Sequence, residues 1–187
     1  MRENKLTAVV LSKNEAKNLA GCLKSIDFCG EVIVVDDFSE DNTVEVAKKH
    51  NATVVQRRLA ADFAAQRNYG MAKASGDWLL FIDADERVSP DLKKEILRVT
   101  AAPSSPANGY FLRRRDYWLG RELKYGETGS ARSLGFTRLI KKGKGKWAGR
   151  VHEKHGEAGF IYAFLMSFHS FLVRAKLFQH YREASSP

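Results

Sequence analysis

The chain has 187 residues, 44% hydrophobic and 28% charged; that suits one globular domain with a substantial core and excludes a low-complexity polymer. Net charge is +9 and unevenly spread: residues 1–100 carry 15 Lys and Arg against 16 Asp and Glu, residues 101–187 carry 16 against 6. A balanced first half and a basic second part suggest an anionic partner: nucleic acid, a phosphorylated acceptor or an acidic membrane surface.

Leu6 to Leu11 is a short apolar run, too short for a signal-peptide core, and Ser12-Lys13-Asn14-Glu15 follows it. A helical pattern then carries Leu19, Cys22, Leu23 and Ile26 on one face. Cys22 and Cys29 have the spacing of neither a zinc knuckle nor a redox pair, and read as reduced core thiols of a cytosolic protein. Val32 to Val35 is a β-branched run ending in Asp36-Asp37, and a second helix follows to about Lys49, with Ser39 or Asp41 as its expected N-cap. Thr53-Val54-Val55 is a third strand. A helix from about Asp62 to Ala74 comes next, stopped by Ser75-Gly76. The fourth strand, Trp78 to Ile82, runs into Asp83-Ala84-Asp85-Glu86, and Ser89-Pro90-Asp91 opens another helix. This alternation predicts an α/β domain with a mostly parallel sheet and helices on both faces. Ligands bind such sheets outside the C-terminal strand ends, where Lys13-Asn14-Glu15, Asp36-Asp37 and Asp83-Ala84-Asp85 would share a crevice.

Beyond a loop at residues 101–109 the rhythm breaks. Gly109 to Leu112 and Arg138 to Ile140 read as strands, with Lys141 to Gly145 as a turn. This part reads as an extension of the same domain. Phe160 to Val173 is apolar but interrupted and too short to span a bilayer; the expectation is a buried strand plus the start of a helix. The segment from Phe171 to Tyr181 is a minor candidate for membrane-surface contact.

Carboxylates at i and i+2 of an extended chain project to one side, so Asp83 and Asp85 can converge, and their mutual repulsion invites a hard divalent cation such as Mg²⁺ or Mn²⁺. The alternative is an acidic, solvated turn. On the third helix Arg67 falls in a stripe with Phe63, Gly70, Met71 and Ala74. An arginine turned toward a sheet needs a carboxylate or phosphate, and Asp36, Asp37 or a bound diphosphate would serve. Arg113-Arg114-Arg115 with Tyr117 and Trp118 suits an anionic glycolipid. The same pattern suits single-stranded nucleic acid, but no recognition-module signature accompanies it.

The strings VVLSKNEAKNLAGCLKSI, EVIVVDDFSEDNTVEVAKKH and QRNYGMAKASGDWLLFIDADERVS resemble, in order and spacing, the N-terminal half of family 2 glycosyltransferases of the GT-A fold. Arg138-Leu139, Lys146 to Glu153 and His169 resemble the subgroup of bacterial lipopolysaccharide core β-glucosyltransferases. Those relatives usually continue well past residue 187, so the chain reads as a short or a truncated member. The resemblance implies an inverting, metal-dependent transfer of a hexose such as glucose from a UDP-sugar to a glycan or glycolipid acceptor. It implies one domain over residues 1–187, with 1–100 as the nucleotide-sugar half and 101–187 as the basic acceptor side. Asp37 would accept from the uracil imide, with Leu11 backbone and Glu15 near base and ribose, and Asp36 and Arg67 beside them. Asp83 would hold ribose or a metal-bound water, and Asp85 the Mg²⁺ or Mn²⁺. Glu153 is the expected base, with Asp116 and Glu127 as runners-up; His152 would steer the acceptor or touch phosphate, and His169 would contact metal or pyrophosphate. The expected location is the cytoplasm, with peripheral contact at the inner face of the membrane left open. Two other readings are a nucleotidyltransferase, whose Gly-rich loop is missing after Leu11, and a basic RNA- or membrane-binding module.

Overall fold

A computed structural model describes residues 6–102, 107–115, 117–118, 121–122 and 136–148, and the backbone of four further strands at 152–155, 162–164, 171–173 and 178–180. The elements, in chain order, are β1 (Leu6–Ser12), α1 (Ala16–Ser25), β2 (Glu31–Asp36), α2 (Thr43–Lys49), β3 (Thr53–Gln56), α3 (Phe63–Lys73), β4 (Trp78–Asp83) and β5 (Glu86–Val88). They continue with α4 (Pro90–Ala101), β6 (Gly109–Leu112), β7 (Tyr117–Trp118), β8 (Arg121–Glu122) and β9 (Phe136–Lys141). Last come β10 (Trp147–Ala148), β11 (His152–His155), β12 (Tyr162–Phe164), β13 (Phe171–Val173) and β14 (Phe178–His180).

Among the described residues the main sheet has the order β14-β6-β9-β4-β1-β2-β3. β1 runs parallel to β2 and β4, and β2 to β3. β9 turns antiparallel to β4 and starts a wing with β6 and β14, also antiparallel. The fold is therefore α/β with a mixed sheet whose parallel core carries the helices.

Period-two alternation sorts the central strands into two cores. Leu6, Ala8 and Val10 of β1, Val34 of β2 and Leu80 and Ile82 of β4 pack with Leu19, Cys22, Leu23 and Ile26 on the side of α1. Ala47 of α2 and Leu92 and Ile96 of α4 join that side. Val9, Ile33, Val35, Leu79 and Phe81 face the other way, toward Ala64 and Ala74 around α3. Each buried Val, Leu, Ile or Phe side chain among them contributes about 1.5–3 kcal/mol by leaving water. Burial on both faces is why these strands read as unbroken apolar runs. Helix α3 lies very close to the sheet: a Cβ on Gly70 would stand 2.4 Å from Cγ1 of Val9 and 2.9 Å from Cγ2 of Val35.

Ser89 caps α4 as expected, accepting from the Leu92 amide with Pro90 behind it, and Asp62 caps α3, accepting from the Ala65 amide at 2.8 Å. At α2 the expectation fails. Asn42 holds the N-cap position without a side-chain bond, while Asp41 accepts from the Thr43 amide and from the amide of Ala16, the first residue of α1. The run from Phe160 to Val173 is expected to end in the start of a helix, but its last residues, 171–173, form β13, parallel to β5. A short apolar run does not distinguish strand from helix by period, and pairing with β5 decides it. Among the described residues no helix is long and apolar enough to cross a membrane.

Candidate functional site

The parallel strands end together. Ser12 pairs in register with Asp36, Leu11 with both Val35 and Asp83, and Asp36 with Gln56. Leu11, Asp36, Asp37 and Asp83 are thus set along one sheet edge. The loops after β1 and β2 are knitted: the Asn14 amide donates to Ser39 Oγ (2.9 Å), the Glu40 amide to Asn14 Oδ1 (2.8 Å), and the Glu15 amide to Thr43 Oγ1 (2.8 Å).

Asp36 is fully buried, and its carboxylate accepts from the Ser39 amide (3.0 Å), the Ser39 hydroxyl and Gln56 Nε2 (3.1 Å). It shapes the loop that presents Asp37. Asp37 accepts from Lys13 Nζ at 2.9 Å and from the Leu59 amide at 3.0 Å. Burial alone would raise its pKa, but those two donors outweigh it and hold the carboxyl below its ordinary value. The Leu59 loop carries consecutive alanines, Ala60 and Ala61, at φ +48° and +55°, a left-handed conformation costing about 1–2 kcal/mol per residue. Phe38, also left-handed, lies exposed beneath the Arg58 guanidinium, 4.7 Å from its ring centroid.

At β4 the arrangement differs. Arg67 donates to Asp83 Oδ1 (3.1 Å) and Arg138 to Asp83 Oδ2 (2.9 Å). Arg138 also reaches Glu86 Oε1 at 3.1 Å, Arg114 stands 3.9 Å from the same oxygen, and Glu86 Oε2 accepts from the Asp83 amide at 3.0 Å. Burial opposes ionisation of Asp83, but Arg138 and Arg67 keep it far below the usual carboxylate range. Two expectations are corrected here. Arg67 pairs with Asp83, not Asp36 or Asp37, because Gly70 lets α3 settle low enough to bring it under β4. Arg114 is buried against Glu86 and does not present its charge to an acceptor.

Asp85 is not on extended chain. β4 ends at Asp83, and Ala84 and Asp85 form a turn into β5, so strand alternation does not set its direction. The turn still keeps Asp85 among like charges. Burial, then Asp83, Glu86 and Glu15, push its pKa up to about 7. Among the described residues no group of three or more His, Cys, Asp or Glu is arranged to hold a metal. Asp85, with Asp83 nearby, offers the one or two carboxylates that suit a hard cation whose shell is completed by water and phosphate oxygens.

Asn68 links this end of the sheet to β10. Its Oδ1 accepts from the Trp147 amide (2.9 Å) and its Nδ2 donates to the Trp147 carbonyl (2.8 Å). The Trp147 ring meets Phe81 edge-on at 5.2 Å and has Arg67 above it at 5.2 Å. β10 pairs with β11, where Trp147 faces His155 and Ala148 faces Lys154; β11 carries His152 and Glu153. The side chains of His152 and Glu153, and all of Asp116, Glu127 and His169, lie outside the described residues.

Residues 7–179 match the family model described as glycosyl transferase family 2. The chain is 31% identical over 155 residues to a protein named lipopolysaccharide core biosynthesis glycosyltransferase LpsC, from Rhizobium meliloti (strain 1021), covering 79% of this chain and 56% of LpsC. It is 35% identical over 99 residues to an uncharacterised glycosyltransferase of Rickettsia felis, covering 52% of this chain and 35% of the relative. The chain therefore spans only about half or a third of the length of these relatives. Among solved structures, the UDP complex of S. aureus TarS superposes with a TM-score of 0.51 at 24% identity, covering 63% of this chain and 37% of TarS. That likeness extends to the fold, which is GT-A-like. With the sheet order, the acidic ends of β2 and β4 and a family match over nearly its whole length, the chain belongs to glycosyl transferase family 2.

Proposed function

We propose that residues 1–187 form one domain, whose 1–100 half holds a UDP-sugar with Mg²⁺ or Mn²⁺ and whose basic 101–187 half faces a glycan or anionic glycolipid acceptor. A hexose such as glucose is transferred with inversion, in a cell-envelope pathway of the lipopolysaccharide-core kind. The domain works in the cytoplasm, with its acceptor at the inner face of the membrane. The observation that carries this reading is Asp85: a carboxylate held among Asp83, Glu86 and Glu15, while Arg67 and Arg138 pair with Asp83 and Arg87 donates to backbone carbonyls.

Asp37, kept ionised by Lys13 and the Leu59 amide, accepts from the uracil imide. Leu11 backbone and Glu15 flank base and ribose, and Asp36 acts by fixing the loop that carries Asp37. Each Asp83 oxygen already accepts from one guanidinium, which leaves lone pairs for a ribose hydroxyl. Asp85 would hold the cation, with Asp83 beside it. When bound, the cation neutralises charge on the departing diphosphate. Glu153 takes the acceptor hydroxyl's proton during in-line displacement; His152 and His169 keep the roles the family pattern gives them, steering the acceptor and contacting the diphosphate or the cation.

Calorimetry with UDP tests the donor site. Binding should tighten with Mn²⁺; folded protein that ignores millimolar UDP with Mn²⁺ present overturns the reading. Glu153→Gln should keep UDP affinity and slow transfer by about 10²–10⁴-fold. Unchanged transfer would move the base elsewhere.

A further inference from the structure

We infer that Arg87 and Gly21 form a positioning clasp that fixes the Asp85 turn against α1, and thereby sets the metal-dependent part of nucleotide binding; this rests on the reading of Asp85 given above. Arg87 Nη1 donates to the Ala84 carbonyl (3.2 Å) and the Glu86 carbonyl (2.8 Å), the two that flank Asp85. Its Nη2 donates to the Asn18 carbonyl in α1 at 2.7 Å. Among the described residues these donors go to carbonyls and to no carboxylate, so the guanidinium serves as a rigid fork rather than an ion-pair partner.

Gly21 explains how the fork fits. It lies inside α1, where glycine is a poor helix former. A Cβ there would stand 2.6 Å from Arg87 Nε, 2.7 Å from Nη2 and 2.9 Å from Cζ. The guanidinium occupies the space an alanine side chain would need. Asp85 needs such an anchor because it sits in a turn, outside any strand ladder, facing repulsion from Asp83, Glu86 and Glu15. Left to swing, the turn would carry its carboxylate away from those charges. The clasp holds it there, as outer-shell contacts hold metal ligands.

The obstructed atoms are the end of a flexible side chain, so Gly21→Ala displaces the guanidinium without removing its charge and adds a better helix former to α1. Gly21→Ala and Arg87→Gln are compared with the parent by UDP calorimetry with Mn²⁺ and with chelator, and by amide hydrogen exchange without ligand. Both variants should lose about 10–100-fold of the Mn²⁺-dependent affinity and keep the metal-free affinity. Exchange at residues 84–88 should quicken while β1 and β4 stay protected. Parent-like exchange at the turn in Gly21→Ala overturns the clasp, and so does parent-like Mn²⁺ dependence in both variants. A parent protein whose UDP binding ignores Mn²⁺ overturns the function assigned to Asp85, and the exchange data then decide separately whether the clasp exists.

Discussion

The ends of β2 and β4 solve one problem in two ways. Each presents an inner carboxylate, Asp36 or Asp83, and an outer one, Asp37 or Asp85. Asp36 is held by neutral donors, a hydroxyl, an amide N–H and a glutamine, whereas Asp83 is held by two guanidiniums. The outer residues reverse the pattern. Asp37 has its own cation in Lys13, whereas the strongest charges acting on Asp85 are those of Asp83, Glu86 and Glu15. The β2 end therefore has its outer carboxylate already balanced by a cation, as the proposed acceptor of a neutral N–H would need. The β4 end has its positive charge two residues too early, at Asp83, and under the proposed function a cation would complete it at Asp85.

Removing the charged partners should separate the two ends most sharply. Arg138 is buried and bridges Asp83 to Glu86; Arg138→Met leaves two acids without it and should cost about 3–5 kcal/mol. Because the folded pKa of Asp83 is depressed, its contribution is present above the ordinary aspartate value and lost as pH falls through the folded one. The Arg138→Met penalty should accordingly be larger at neutral pH than in acid. Asp36→Asn keeps one acceptor oxygen against neutral donors and should cost about 1–3 kcal/mol. Urea unfolding measures both. An Arg138→Met penalty no larger than that of Asp36→Asn would erase the distinction drawn here.

The β2 end was more legible in the sequence than the β4 end, for a physical reason. Asp36 and Asp37 gain most of their partners from Ser12, Lys13, Ser39, Gln56 and Leu59, within one parallel core whose apolar runs announce themselves. Asp83 depends on Arg138, 55 residues away on β9, and nothing local in an arginine marks which acid it will meet. The Asn68–Trp147 clip spans 79 residues and is equally silent. Asp85 was placed on the right strand end by the wrong argument, since an i, i+2 rule applies only while the chain stays extended. Gly70 is legible in the sequence only as a member of the stripe around Arg67, and Gly21 carries no signal there; the side chains that fill their missing Cβ positions come from β5, β1 and β2.

The incompleteness of the β4 end has a stability signature of its own. The folded pKa of Asp85, about 7, lies above its ordinary value of 3.8, so between those limits the folded state binds more protons than the unfolded one. Without a cation, stability should fall as pH rises through that window and level off above it. Asp85→Asn removes the penalty. It should stabilise the cation-free protein by roughly 1–2 kcal/mol above neutrality, allowing for partial solvent screening, and by almost nothing near about pH 4. The same variant should lose the Mn²⁺-dependent gain in UDP affinity. Equal stabilisation at both pH values would mean that Asp85 titrates alike in folded and unfolded chains.

The smallest change is expected from the cation the β2 end already has. Lys13 is 57% exposed even while its ammonium sits 2.9 Å from Asp37, so the pair is screened and Lys13→Met should alter stability by less than about 1 kcal/mol. The Leu59 amide bond to Asp37 remains, which keeps the carboxylate oriented. Its pKa should nevertheless climb toward the ordinary aspartate value, because one of the two donors holding it down is gone. NMR titration of the Asp37 carboxyl reads this directly, and the acid limb of UDP binding should move upward with it. If that resonance titrates unchanged, Lys13 is a bystander and the Leu59 amide alone keeps Asp37 ionised.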